Sequence, residues 1–291
     1  MSRGKIKIIS AIEEMQRYSD SLRLERKKIA LVPTMGYLHE GHLSLVKKAK
    51  ELADITIVSI FVNPSQFSPD EDLEKYPRDF ERDKKLLWEL NVDVIFYPDV
   101  SEIYPDDFQT HVEVEKITQN FEGAFRPTHF RGVTTIVNIL FNCVKPDIAI
   151  FGQKDAQQAA VIKRMVRDLK LDIKIIAEPI VREEDGLAMS SRNIYLSAEE
   201  RKDALVLSKA LNAAGKMILT GETNVEKIYA EMKNIINSAV TSELDYIKIV
   251  NAENFEEIDY LEEGNSYFIL IACRIGKTRL IDNLLIKENI K

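Results

Sequence analysis

The amino-acid sequence predicts an α/β protein. A doubly wound, Rossmann-like parallel sheet spans residues 1–180, and a second, smaller α+β domain, a lid-like C-terminal part, spans 181–291. Three observations carry this reading. Short β-branched runs alternate with amphipathic stretches in the first part, the pattern changes after Val181, and the polar motifs fall just past strand ends.

KIALVP (28–33), DITIVSIFV (54–62), DVIFYP (93–98) and DIAIFG (147–152) are nearly continuous in Val, Ile and Phe, as strands covered on both faces must be. Between and after them, His42–Ala53, Asp79–Leu90, Gly132–Val144 and Ala156–Leu169 carry helical periodicity. Strand–helix alternation predicts a parallel sheet with helices on both faces, and such sheets bind ligands beyond the carboxyl ends of their strands. After Val181, Ser197-Ala-Glu-Glu200 is a capping-box signature opening a helix to about Leu219. Gly221 interrupts, and a second helix is expected over Val225–Ser242. Three strands follow at 245–251, 266–275 and 278–286, with Ile275-Gly-Lys-Thr278 as a hairpin turn.

The bulk numbers suit a globular protein, with 291 residues, 45% of them apolar and 30% charged. No apolar run approaches the ~20 residues of a membrane span, and the N-terminus lacks a secretory signal. Cys143 and Cys273 sit in apolar stretches without CxxC spacing, so buried thiols in a reducing cytoplasm are expected. The net charge is −7, and 14 Lys+Arg face 19 Asp+Glu from Val181 onward, so neither part is expected to bind nucleic acid.

The stretch LVPTMGYLHEGHLSLV (31–46) places two of the four histidines three residues apart, where a strand gives way to a helix. A zincin helix needs HExxH; HEGH has one residue too few, and His111 and His129 stand alone in sequence. Two readings remain, a polar turn and a phosphate site. The second is favoured by position: Gly36 and Gly41 open the backbone to a ligand, and a helix N-terminus attracts anions through its unpaired N–H groups and dipole. Imidazoles there can donate to phosphate.

Three further motifs follow. DGLAMSSRN (185–193) pairs a tight turn with hydroxyl donors and an arginine, chemistry that holds a triphosphate; an ordinary surface loop with a capping serine is the simpler reading. FGQKDAQQ (151–158) follows a strand and offers Gly152 for close approach, Lys154 for phosphate and Asp155 for ribose hydroxyls. Gln158 and, in FVNPSQF (61–67), Gln66 are neutral amides that suit a polyhydroxy acid.

The histidine turn resembles the signature of the nucleotidyl-transferring α/β superfamily. VPTMGYLHEGH, FVNPSQF, FGQKDAQQ and DGLAMSSRN together closely resemble the pantothenate synthetase (pantoate–β-alanine ligase) family, as does EGAFRPTHFRG (122–132). Gln153 departs from a common glutamate, and Ala156 from a common aromatic. The resemblance implies ATP-dependent condensation of pantoate with β-alanine through pantoyl adenylate. It implies ATP binding by Met35, Gly36, Tyr37, Leu38, His39, Glu40, Gly41, His42, Gly152, Gln153, Lys154, Asp155, Val181, Met189, Ser190, Ser191 and Arg192. Catalysis would fall to His42, His39 and Lys154. Pantoate would be held by Gln66 and Gln158, with Gln66 also near β-alanine and Asn63 supporting that region. Mg²⁺ would accompany ATP, with no protein ligand assigned to it; Asp83 is a candidate outer ligand, but an acidic residue on an exposed helix is expected to be solvated. No tightly bound organic cofactor is implied, and a cytoplasmic homodimer is.

Rival readings make different predictions. An aminoacyl-tRNA synthetase would release AMP only with tRNA. A simple adenylyltransferase would transfer AMP and stop, and a nucleotide-binding regulatory module would bind ATP without turnover.

Overall fold

The structure is a computed structural model that describes residues 6–68, 71 and 73–287. The chain forms two compact units, one of Met1–Gly152 with Val161–Pro179, the other of Gln153–Ala160 with Ile180–Lys291.

The first unit holds six strands: β1 (Lys7–Ile9), β2 (Ile29–Thr34), β3 (Ile55–Ile60), β4 (Val94–Phe96), β5 (Ile148–Gly152) and β6 (Lys174–Glu178). They lie in the order β1-β4-β3-β2-β5-β6, every neighbouring pair parallel. Helices α1 (Ile12–Leu24), α2 (Glu40–Leu52), α3 (Phe80–Glu89) and α6 (His129–Val144) flank them, with single turns α4 (Val100–Ile103) and α5 (Glu122–Phe125). The period of two along each strand divides its side chains between two cores. Ile29, Leu31, Ile57, Val94 and Phe96 pack with α1 and α6, whereas Ala30, Val32, Val58, Ile95 and Ile150 pack with α2 and α3. Strand order reverses between β2 and β5. The carboxyl ends of those two strands therefore mark the crevice where doubly wound sheets take ligands. β2 runs into the HEGH turn there.

The second unit is α+β. Strands β7 (Ser242–Asn251), β8 (Tyr267–Ile275) and β9 (Thr278–Ile286) form an antiparallel sheet, joined at β8–β9 by the expected two-residue turn at Gly276-Lys277. Helices α9 (Leu205–Leu219) and α10 (Val225–Ile236) cover one face through Leu207, Leu211, Ile228, Met232, Ile247, Ile249, Ile269 and Ile271.

Several boundaries differ from expectation. The helix expected from Ser197 is two pieces, α8 (Ala198–Asp203) and α9, broken at Ala204. The helix expected to reach Ser242 stops at Ile236, because Thr241 is held through its N–H and hydroxyl by Asp203 and Ser242 opens β7. Segment 153–160, read with the first domain, groups with the second unit, where Asn283 bonds the carbonyls of Gln153 and Lys154. It opens α7 (Ala156–Asp168).

Candidate active site

The histidine turn is built by its own backbone. Helix α2 starts at Glu40, two residues before the His42 start expected from sequence spacing, with His39 as its N-cap, and the His39 Nδ1 accepts from the Gly41 N–H at 3.1 Å. His42 returns the arrangement, its Nδ1 accepting from the His39 N–H at 3.3 Å. The HEGH spacing is thus a capping box with imidazoles in both positions. An Nδ1 that accepts carries no proton, so each neutral ring holds its proton on Nε2 and is a donor there. The two rings lie 4.1 Å apart and are half-buried. The turn is thus both a polar cap and a pair of oriented donors.

Before the cap, Gly36 and Tyr37 take left-handed backbone angles, φ +81° and +50°. A Cβ on Gly36 would lie 3.1 Å from Asp83 Oδ2 and from Ile60, so glycine is needed for space as well as for φ. Asp83, on α3, clamps the turn. Its Oδ2 accepts from the Tyr37 N–H at 2.6 Å and its Oδ1 from the Leu38 N–H at 2.7 Å. The expectation of a solvated outer metal ligand is corrected here, since Asp83 is 1% exposed and both oxygens serve the backbone. Burial lifts its carboxyl above the ordinary aspartate range, opposed by those two N–H groups and by Arg82. Leu38, expected at the nucleotide, is 0% exposed, and its side chain belongs to the core. Glu40 is exposed and pairs with Lys47 at 3.3 Å.

Past the end of β3, a 3-10 turn at Pro64–Gln66 carries Gln66. Asn63 organises it. The Asn63 Nδ2 donates to Gly132 O and to Gln66 Oε1, each at 3.1 Å, while its Oδ1 accepts from Tyr104 at 2.8 Å and from the Ser65 N–H at 3.3 Å. At 1% exposure, Asn63 supports Gln66 from within the protein and is not itself open to substrate. Gln66 Nε2 lies 3.0 Å from Met35 Sδ, so the first unit brings Met35–His42, Asn63, Gln66 and Asp83 together. Gly132 allows the close approach of α6, because a Cβ there would sit 2.3 Å from Ser65 O and 2.6 Å from Gln66 N. Gly132→Ala should therefore push the Gln66 turn aside and destabilise the fold by about 1–3 kcal/mol in a urea titration.

Behind Gln66 lies a charged network that sequence reading did not assign. Arg126 forks Glu71 at 2.6 and 2.8 Å and also reaches Gln66 O at 3.3 Å. Its Nη1 lies 3.2 Å from His129 Nε2, and His129 Nδ1 lies 3.0 Å from Gln66 O. A guanidinium can only donate, so His129 Nε2 accepts and the ring proton sits on Nδ1, donated to Gln66. Burial, with the Arg126 charge beside it, pushes His129 down to about 4. Burial also raises Glu71, but the hydrogen bonds and charge of Arg126 outweigh it and leave that carboxyl below its ordinary range. Both shifts act in one direction. Below an unfolded pKa of about 6.5 the unfolded chain takes up a histidine proton that the folded chain refuses, so stability falls with pH until it passes about 4. His129 alone should remove ~2 kcal/mol between pH 7 and 4.5. Urea unfolding of the parent and of His129→Asn at the two pH values should show the parent losing more.

In the second unit, Gln153, Lys154 and Asp155 form a 3-10 turn leading into α7, with Gln158 half-buried in its first turn. Gln153 Nε2 donates to Asn283 Oδ1 at 3.2 Å, a bond glutamate could not make, which gives the family departure at 153 a local reason. Lys154 Nζ lies 3.9 Å from Asp155. A Cβ on Gly152 would meet nothing within 4 Å among the described residues, so protein packing does not demand that glycine. The loop from Val181 is closed on itself, Met189 N–H donating to Val181 O at 3.0 Å. Arg182 forks buried Asp282 at 2.7 and 2.9 Å. Asp282 adjoins Asn283, so this pair joins the 153–155 turn to the 181–192 loop. Ser190 Oγ accepts from the Arg192 N–H at 3.3 Å and caps the Ser191–Tyr195 turn, so the simpler reading of a capping serine holds for that residue. Ser191 and Arg192 are half-buried.

Sequence reading missed Asp83 as a clamp, and it missed Tyr104, Arg126, Glu71, Asp282 and Asn283. The signal for the last pair was present, two adjacent polar residues inside the apolar run TRLIDNLLI. Among the described residues no helix is long and apolar enough to cross a membrane. Both cysteines are unpaired and buried.

The family model described as pantoate-beta-alanine ligase matches residues 7–285. The chain is 54% identical to the pantothenate synthetase of Thermoanaerobacter sp. (strain X514), over 97% of this chain and 99% of that protein. It is 53% identical to that of Thermotoga petrophila, over 97% and 100%. The crystal structure of pantothenate synthetase from Thermus thermophilus superposes with a TM-score of 0.90 at 44% identity, covering 96% of this chain and 99% of that one. The ligase from Francisella tularensis, complexed with beta-gamma ATP and beta-alanine, gives 0.78 at 36% identity, covering 97% and 98%. With the parallel sheet, the capped histidine turn and the Gln66 turn in place, the chain belongs to the pantoate–β-alanine ligases, enzymes that form the carbon–nitrogen bond between those two substrates.

Proposed function

We propose that this chain activates pantoate with ATP and then passes the pantoyl group to β-alanine. In the first step a pantoate carboxylate oxygen bonds to the α-phosphorus as the bond to pyrophosphate breaks, giving pantoyl adenylate. In the second, the amine nitrogen of β-alanine attacks the acyl carbon, AMP departs with the bridging oxygen, and the amine loses a proton. Activation is required because a carboxylate is a poor electrophile and AMP a far better leaving group than oxide.

The observation that carries this reading is the reciprocal His39–His42 cap, which fixes two Nε2–H donors at the N-terminus of α2, past the β2 end where strand order reverses. Such donors stabilise negative charge developing on a transferred phosphoryl group and on departing pyrophosphate without reorganising. His42 acts here as an electrostatic donor. We assign the nucleotide to the Met35–His42 turn, whose Leu38 side chain is in the core and whose Leu38 N–H is held by Asp83, and to Gly152–Asp155, Val181 and Met189–Arg192, with Lys154 on phosphate. Pantoate goes to Gln66 and Gln158, and β-alanine adjoins Gln66. The ATP and β-alanine of the Francisella tularensis complex support both substrates.

Magnesium would enter on the triphosphate. Among the described residues no group of three or more His, Cys, Asp or Glu is placed to hold a metal ion, and Asp83 is committed to backbone, so no step is assigned to protein-bound metal. A cytoplasmic homodimer completes the proposal, with the second unit, Gln153–Ala160 and Ile180–Lys291, as the lid. AMP release measured with ATP, Mg²⁺ and pantoate, with and without β-alanine, tests it.

A further inference from the structure

Gln66 is held from two sides. The Gly132 carbonyl must accept, and the Ser65 N–H must donate, so the Asn63 amide has one orientation, Nδ2 toward Gly132 and Oδ1 toward Ser65. Asn63 Nδ2 then requires an acceptor on Gln66, which turns Gln66 Oε1 inward and its Nε2 toward Met35. On the other side, the Gln66 main-chain carbonyl receives His129 Nδ1–H and an Arg126 N–H, and Arg126 is itself fixed by the Glu71 fork. His129 is 8% exposed, so its bond to Gln66 is made away from water.

We infer that His129, oriented by Arg126 and Glu71, is a positioning residue for the acid substrate: it holds the Gln66 backbone so that the Gln66 amide presents N–H to an oxygen of pantoate. This rests on the reading of Gln66 as a pantoate contact. His129 touches no reacting atom. Its effect should fall first on the acid end, because its bonds go to the Gln66 turn and to Arg126, and it reaches the Met35–His42 turn only through the Gln66 contact to Met35.

Steady-state kinetics on the full chain test this with His129→Leu, His129→Asn and Arg126→Lys, varying pantoate and ATP separately. Leucine removes the donor, whereas the asparagine Nδ2 falls near the place of Nδ1 and can still donate to Gln66 O. The expected result is a loss of roughly 10–100-fold in kcat/KM for pantoate in His129→Leu, with the KM for ATP unchanged. His129→Asn should recover most of it. Arg126→Lys should behave like His129→Leu, since an ammonium cannot fork Glu71 and also reach His129 and Gln66 O; it supplies the answer if His129→Leu fails to fold. Equal activity of the leucine and asparagine variants, or matched losses for pantoate and ATP, would overturn the inference. Gln66→Ala run alongside separates the two layers. If it leaves the KM for pantoate unchanged, the reading of Gln66 fails. If it raises that KM while His129→Leu and Arg126→Lys do not, only the role of His129 fails.

Discussion

His42→Ala is expected to slow adenylate formation by roughly 10²–10³-fold, the effect of removing one preorganised donor to developing oxyanion charge. The same substitution removes a cap, because His42 Nδ1 accepts from the His39 N–H, and a stability loss of ~1 kcal/mol should accompany it. Two further variants separate these effects. His42→Asn can place Oδ1 where Nδ1 was and keep the cap, but it offers nothing at the Nε2 position. His42→Gln can place a donor near Nε2 but loses the Nδ1 acceptor. Catalysis through Nε2–H requires glutamine to exceed asparagine in single-turnover adenylation while asparagine exceeds glutamine in unfolding free energy. Activity that simply tracked the folded fraction would reduce the histidines to cap residues.

Asp83→Ala should be nearly as damaging without touching substrate. It leaves the Tyr37 and Leu38 N–H groups without their carboxylate, at a cost of about 1–3 kcal/mol for each buried donor. Tyr37 sits at positive φ, so the turn then carries strain with the Gly36 N–H bond to Thr34 and the histidine cap left to hold it. ATP binding measured by calorimetry should weaken at least ~10-fold, equivalent to ~1.4 kcal/mol, well within that loss. Asp83→Asn should be intermediate, since an amide oxygen can accept one of the two N–H groups while its NH₂ faces the other. Undiminished ATP affinity in Asp83→Ala would show that the turn keeps its shape unaided.

How much of this was legible beforehand depended on distance along the chain. The central strands were readable because burial on both faces demands continuous Val, Ile and Phe, whereas β1 and β6 were not. They are the two sheet edges, of three and five residues, and Lys7 and Lys174 begin them. The HEGH turn was recognisable as a strand-to-helix junction, but the capping box inside it was missed because imidazoles stand where hydroxyl and carboxylate are usual. Asp83 lies in FERDKKLLWE, which reads as a solvated helix; only the fold brings it to a turn 45 residues earlier. Asn63 was read as supporting the Gln66 region, but its partner there, Gly132, lies 69 residues on and could not be read from sequence. The polar residues proposed to meet substrate were legible by type. Those that hold them were not, since their partners are tertiary.

If the capped histidines and the Gln66 turn serve one two-step ligation, sustained turnover must depend on all three substrates. The most direct test measures AMP, pyrophosphate and pantothenate together, with ATP, Mg²⁺ and pantoate present and β-alanine added or withheld. The expected result is at most a single-turnover burst of pyrophosphate without β-alanine, and stoichiometric AMP and pantothenate with it. Sustained AMP release without pantoate, or ATP binding with no pantothenate formed, would contradict it.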